Sequence, residues 1–340
     1  VIKKLILVFI FVLALGMALV FYAKEQVKGY LLQPMQLSSE QLVTVEHGKT
    51  LRSALWSMEK QGWIEGNRFS RLLPHLYPEV VHIRAGTYQV KPGETLQQVL
   101  TTMVSGEEHQ FSLTFIEGSQ FKEWRTQFAQ APQLKQQTAT MTEAEIAKAI
   151  GAGHDKLEGL LLAETYHYTA GMSDLDILKR AHKALTRELD KAWQTKQTHL
   201  PLKTPYQALI LASIIEKETA IESERTRIAS VFVNRLNKGM RLQTDPTVIY
   251  GLGDSYDGDI RKKDLSTPTP YNTYVINGLP PTPIAMPGVE SIQAALNPEQ
   301  SRYLYFVASG DGGHVFSRSL AEHNRAVQNY LRKLRASKKH

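Results

Sequence analysis

A chain of 340 residues is longer than one hydrophobic core usually supports, so two folded domains are expected. With 42% hydrophobic and 21% charged residues, and with Pro and Gly dispersed, it is neither fibrous nor wholly disordered. The sequence has no cysteine, which excludes disulfides, thiolate-ligated zinc, iron–sulfur clusters and cysteine nucleophiles, and its net charge of +7 is scattered, without the basic and aromatic stripe of a nucleic-acid site.

In chain order, Lys3 and Lys4 precede an uncharged run from Leu5 to Ala23, close to the twenty or so residues that cross a hydrocarbon core. Residues 1–23 are expected to be a cytoplasmic tip and an uncleaved transmembrane helix, with the two lysines inside and the rest of the chain outside. A cleaved signal peptide is the competing reading, with Ala14-Leu15-Gly16 as its cleavage site, but apolar residues continue past it to Phe21 and Tyr22. A buried core helix is the third. Residues 24–41 read as a stalk.

A self-similar pattern follows. The segment from Leu42 through Gly48-Lys49-Thr50-Leu51 is echoed by Gly86 through Gly93-Glu94-Thr95-Leu96, and more faintly by Leu113 through Gly118-Ser119. Each copy is a short alternating strand, a glycine turn and a Thr or Ser placed to cap the next helix, predicting helices over 51–61, 96–105 and 120–130. Residues 42–116 therefore form a small α/β domain. Gly48-Lys49-Thr50 is not a phosphate loop, because no glycine stands at the required upstream offset.

The remainder, 117–340, is mainly helical. Helices are predicted over 140–150, 173–193, 206–219 and 223–237, with Pro205 favourable in the first turn of the third. Residues 251–287 hold many of the prolines and glycines and read as one long ordered loop, a kind of segment that usually binds or catalyses. A helix over 289–296, a strand over 303–308, a glycine-rich turn and a helix over 320–333 end the pattern. The whole is α+β: an N-terminal transmembrane helix, a small α/β domain, then a helical domain with a long Pro/Gly-rich loop and short strands.

The predicted helix 206–219 is apolar on nearly every side until Glu216 and Glu218 emerge at its end. Two residues apart on a helix, they point about 200° apart and cannot share one cleft. Glu218 continues the face of Leu211, Ile214 and Ile215. Apolar neighbours and the negative end of a helix dipole both favour its acid form, which suits a general acid. The plain alternative is a solvated Glu-Lys-Glu helix end. Asp245 is the best candidate for a second carboxylate and reads as helping to position Glu218 or the substrate, with an Asp-Pro turn cap as its plain alternative; Tyr271, Asn272 and Tyr274 could supply stacking and amide-recognition contacts, or be turn and core residues. His314, Glu322, His323 and Asn324 form a polar group near the C-terminus that could brace a cleft. His314 and His323 lack metal-ligand spacing, and the aspartates near 254–259 match a calcium loop only loosely. No metal or cofactor is expected.

Glu216-Lys217-Glu218-Thr219, Leu242 to Gly251, Tyr271-Asn272-Thr273-Tyr274, Gly278-Leu279-Pro280-Pro281, Pro283-Ile284 with Pro287-Gly288, and Gly313 to Ser317 with Glu322-His323-Asn324 occur in one order. Over almost its whole length this set resembles the membrane-anchored endolytic murein transglycosylases of the MltG (YceG-like) family. The resemblance implies a single-pass inner-membrane protein with its bulk in the periplasm, a LysM-like domain over 42–116, and a lytic transglycosylase domain over 117–340 with Glu218 as the catalytic residue. It also implies peptidoglycan glycan strands as substrate, with peptidoglycan synthases as possible partners. Where the family usually has Pro-Asp-Thr-Tyr, this chain has Ala163-Glu164-Thr165-Tyr166, which leaves Glu164 and Tyr166 as weaker candidates near the substrate. A noncatalytic wall-binding scaffold and a hydrolytic muramidase are the rival readings.

Overall fold

The computed structural model describes residues 2–337. It divides into two compact units, the first running to Phe111 and including His167–Met172, the second comprising Ser112–Tyr166 and the chain from Ser173 onward.

In the first unit, helix α1 (Ile2–Leu32) is apolar and exposed along its first part, and is long enough to cross a membrane. It does not stop at Ala23. The segment read as a stalk stays helical as far as Leu32, and Val27, Tyr30 and Leu31 are buried in the core of this unit. Strand β1 (Gln41–Val45) leads to helix α2 (Leu51–Lys60), then a short helix α3 (Leu73–Leu76), strand β2 (Gly86–Val90) and helix α4 (Leu96–Ser105). β1 and β2 pair antiparallel, from Gln41 opposite Val90 to Val45 opposite Gly86, so the strands of the first two sequence copies form one ribbon. Thr50 and Thr95 cap their helices as predicted, each in a reciprocal capping box, with Ser53 and Gln98 respectively. Met58, Leu73, Tyr88, Leu96, Leu100 and Met103 fill the space between ribbon and helices.

The third copy departs from this pattern. Its strand β3 (Phe111–Thr114) pairs with a strand the periodicity did not reveal, β4 (Thr165–Tyr168). Helix α5 (Phe121–Gln130) starts from Gln120 without a side-chain cap. Ser119 instead accepts a 2.9 Å hydrogen bond from the buried Trp124 indole, so a core aromatic takes the hydroxyl that the cap would have used.

The second unit continues with α6 (Glu143–Ile150), α7 (Asp174–Gln194), α8 (Pro205–Glu218), α9 (Glu222–Asn237), α10 (Asp245–Leu252), α11 (Val289–Leu296), the antiparallel pair β5 (Tyr305–Ala308) and β6 (His314–Ser317), and α12 (Leu320–Ser337). α8 is the spine: every residue from Ala208 to Ile215 is buried, with α9 and α11 packed against it. Thr204 caps it by accepting from the Gln207 amide, and Pro205 occupies its first turn. Between α10 and α11 the chain is largely irregular, as the proline and glycine content predicts. It is held against the body at Gly159, whose positive φ of 74° and close approach to Pro283 leave no room for a Cβ.

Glu158, one residue earlier, is buried and accepts hydrogen bonds from the Phe121 amide and the Tyr250 hydroxyl, tying α5 to α10. Burial raises its carboxyl to about 8. The unfolded chain therefore loses this proton near 4.5 while the folded chain keeps it until about 8, and folding stability is lost as pH rises through that window. Glu158→Gln should remove this slope. Its melting temperature relative to the parent is expected to rise between pH 5 and pH 8, read by circular dichroism; a constant difference would contradict the burial argument.

Candidate active site

The final turn of α8 delivers two glutamates in opposite directions. Glu216 is largely buried, accepts a 2.9 Å hydrogen bond from the Gly288 amide, and stands 3.7 Å from the Arg225 guanidinium. Glu218 points instead into a cleft of about 340 Å³ lined by residues that include Phe232, Arg235, Thr244, Asp245, Tyr274, Tyr305 and His323. A larger cavity, about 490 Å³, lies among residues of α7, α9 and α11 and holds none of this group.

Glu218 accepts a short hydrogen bond from the Thr244 hydroxyl. Thr244 occupies the N-cap position of α10, yet its side chain does not cap the helix because the hydroxyl is engaged with Glu218. Its position is set by two other buried threonines. The Thr244 amide donates to Thr273 Oγ1 at 3.0 Å, and Thr247 Oγ1 is 2.8 Å from the same atom while donating to the Thr244 carbonyl. Gln243, just before, adopts a positive φ of 50°, an uncommon conformation for a residue with a Cβ.

Burial dominates the electrostatics of Glu218. It raises the carboxyl from 4.5 to about 7; the Thr244 hydroxyl opposes the shift, the Asp245 carboxylate adds to it, and His314 opposes it. A carboxyl titrating there is part acid and part base at neutral pH, the condition under which one group can donate and then accept a proton.

The structure gathers some of the sequence candidates around this group. Asp245 lines the cleft and accepts a 2.6 Å hydrogen bond from the Tyr274 hydroxyl, which orients both side chains. His323 lines the same wall, stacked 5.2 Å from the Tyr305 ring, and its Nδ1 is buried without a hydrogen-bond partner. Burial, with the nearby Arg235 cation, lowers its pKa and favours the neutral imidazole. His314 sits behind this wall, its Nδ1 2.7 Å from Glu224 and its ring 5.4 Å from Phe306.

Other candidates lie elsewhere. Asn272 is fully buried, and its amide nitrogen donates to the Asp264, Leu265 and Thr267 carbonyls while its oxygen accepts from the Tyr274 amide. It staples the loop and presents nothing to a sugar. Tyr271 packs edge-on against Tyr250 with its hydroxyl 2.9 Å from Thr282, outside the residues lining the cleft. Glu164 is exposed beside β4, and Tyr166 is a core residue whose hydroxyl donates to the Leu162 carbonyl. Glu322 accepts from the Arg318 amide at the start of α12, and Asn324 is exposed on that helix.

Three residues that sequence reasoning passed over belong to the site: Thr244, Arg235 and Glu224. Arg235 is buried, donates to the Leu304 and Leu242 carbonyls, and lies over the Tyr305 ring, so its charge forms part of the cleft wall. Glu224 receives both the His314 amide and its ring. Thr244 lies within the segment Leu242 to Gly251, but no pattern in the sequence pairs it with Glu218.

The YceG-like family profile matches residues 43–329. An endolytic murein transglycosylase of Bacillus subtilis is 31% identical over 323 residues, covering 88% of each chain. An endolytic murein transglycosylase of Streptococcus pneumoniae is 27% identical, with 97% of this chain covering 66% of that protein. The crystal structure of a YceG-like protein from Listeria monocytogenes is similar with a TM-score of 0.53 and 33% identity, covering 85% of this chain and 99% of that one.

Proposed function

The chain belongs to the YceG-like family, and from that premise we propose that it is an endolytic lytic transglycosylase that cleaves the β-1,4 bond between N-acetylmuramic acid and N-acetylglucosamine within peptidoglycan strands. The observation that carries this reading is Glu218: a carboxyl raised to about 7, directed into a cleft, with a hydroxyl donor on its oxygen.

In the first half of the reaction Glu218 donates its proton to the bridging oxygen as the C1–O bond breaks. The carboxylate so formed keeps the Thr244 hydrogen bond. It then takes the proton of the C6 hydroxyl of the same muramic acid, whose oxygen attacks C1. One bond has broken and one has formed, the proton is back on Glu218, and the product carries a 1,6-anhydro end with no water consumed. Tyr274, Tyr305 and Phe306 line the cleft with aromatic surface, beside the neutral imidazole of His323.

Asp245 favours the hydrolytic alternative, since a second carboxylate is what a muramidase needs. It directly follows the residue that bonds Glu218, and its charge raises the Glu218 pKa, which fits a partner beside the acid better than one across the sugar ring. The LysM-like first unit would guide the strand, and α1 would anchor the chain in the inner membrane with the two folded units in the periplasm, within reach of the peptidoglycan synthases. A reporter fused after residue 340 is expected to be active only if it works in the periplasm; cytoplasmic activity would reverse the orientation. For the reaction, purified glycan strands incubated with the full chain should shorten by internal cuts, giving intermediate lengths before small fragments. Strands left at full length would support the scaffold reading instead.

A further inference from the structure

We propose that the first unit rests on the bilayer through the segment 67–75, whose exposed arginines and apolar side chains engage the headgroup layer of anionic phospholipids. This rests on the reading of α1 as a membrane span and goes beyond it, since a span alone would leave the unit free to hang away from the surface.

The geometry comes from α1. Its uncharged run ends at Ala23, so a helix rising 1.5 Å per residue places Tyr22 at about the boundary of the hydrocarbon core. Tyr is a residue suited to that boundary. The helix continues unbroken into the folded core, where Val27, Tyr30 and Leu31 are buried, so the span and the unit move as one body. At the boundary itself the unit touches the helix. The Phe69 ring meets the Tyr22 ring edge-on with centroids 5.9 Å apart, and the Asn67 side chain donates to the Gln26 carbonyl. Phe69 is therefore held within one ring contact of the lipid edge.

Its surroundings have the composition of an interfacial surface. Arg68 lies over the Phe69 ring at 5.2 Å, and Arg68, Arg71, Leu72, Pro74 and His75 are exposed. Lys24 and Lys28 are exposed at the same level of α1, on the side away from Tyr22 and Gln26, with the carboxylate of Glu25 in the same two turns. Arg71 and Pro74 also border a groove holding Trp56, which is 61% exposed, a large aromatic otherwise out of place on a water-facing helix. Basic side chains at this depth are attracted by anionic headgroups, while aromatic rings settle at the same level.

The absence of cysteine makes the test direct, because each introduced thiol carries a single nitroxide. The full chain is reconstituted into phosphatidylglycerol–phosphatidylcholine vesicles with labels, one at a time, at Ser70→Cys, Leu72→Cys, Leu13→Cys and Lys91→Cys. Lys91 serves as the reference because its turn bonds to Met35, beyond the far end of α1. Accessibility to oxygen relative to a water-soluble nickel complex is then measured. The labels at 70 and 72 are expected to show a ratio several-fold above that at 91 and below that at 13, and the added substitutions Arg68→Gln and Arg71→Gln should lower it in anionic but not in pure phosphatidylcholine vesicles. Labels at 70 and 72 as water-exposed as that at 91, with Leu13 lipid-buried, would overturn the surface contact while leaving the span intact. A water-exposed label at 13 would overturn both. An unchanged ratio in the arginine variants would overturn the headgroup contact.

Discussion

Glu218→Gln is expected to lower the release of anhydro-ended fragments by about 10²–10⁴-fold or more, the usual worth of general acid–base catalysis. The amide retains the volume and can still accept from the Thr244 hydroxyl, but it cannot give and retake a proton. Folding should survive. The unfolded chain loses the Glu218 proton near 4.5 and the folded chain near 7, so the parent is penalised increasingly over that interval and the variant is not. The variant should therefore melt at the same temperature as the parent at pH 4.5 and higher at pH 7 and above. Glu216→Gln is the matched control, with the same helix end and the same change of charge. Its carboxylate faces Gly288 and Arg225 rather than the cleft, so activity should stay within about tenfold of the parent and any penalty should appear in stability. A larger rate loss in Glu216→Gln would place the acid on the wrong face of α8. In the parent, the rate should fall as pH rises through about 7, because the first step needs the protonated carboxyl, and that limb should disappear in Glu218→Gln.

Thr244→Val should give the second largest effect. It preserves the shape of the side chain and the backbone bonds to Thr273 and Thr247 while deleting the donor to Glu218. A hydrogen bond to a charged group contributes about 1.5–3 kcal/mol, so the stage carrying the Glu218 carboxylate should become harder to reach and the rate fall about 10–100-fold. Removing a donor that favours the charged form also moves the titration upward, so the falling limb of the pH–rate profile should shift to higher pH. Thr244→Ser should restore both. A rate loss in Thr244→Val with an unmoved limb would show that the threonine only packs the wall.

How much of this was legible beforehand depends on the range over which each interaction acts. The spine helix was readable because an uninterrupted apolar run between Pro205 and Glu216 has few other ways to be buried, and the opposed directions of Glu216 and Glu218 follow from helix geometry alone. Thr50 and Thr95 were readable because a capping box closes within four residues. α10 was not: Asp245-Pro246 and Gly251 are turn signals, and only the contacts of Thr244 with Thr273 and of Tyr250 with Glu158 show that a helix lies between them. Tyr271-Asn272-Thr273-Tyr274 looks uniformly suited to sugar recognition in a loop. The fold separates it, turning Tyr274 to the cleft, burying Asn272 against three carbonyls and sending Tyr271 toward Thr282. Glu224 lay hidden on a helix flanked by Glu222, Arg225 and Arg227, where a charged residue reads as solvated, and its His314 partner is ninety residues away. The continuation of α1 past Ala23 is hidden for a similar reason. Lys24, Glu25 and Lys28 mark the close of an apolar run, but only the packing of Val27, Tyr30 and Leu31 shows that the helix continues.

The central claim is that one carboxyl returns its proton to itself through the C6 hydroxyl of the sugar, with no water in the balance. It is tested most directly by digesting purified glycan strands in H₂¹⁸O and weighing the new ends. The account predicts muramic ends lighter by one water than a reducing end, carrying no ¹⁸O and resistant to borohydride reduction, and predicts that they disappear with Glu218→Gln. Reducing ends that carry ¹⁸O would contradict it and make the enzyme a hydrolase, with Asp245 the second carboxylate to examine.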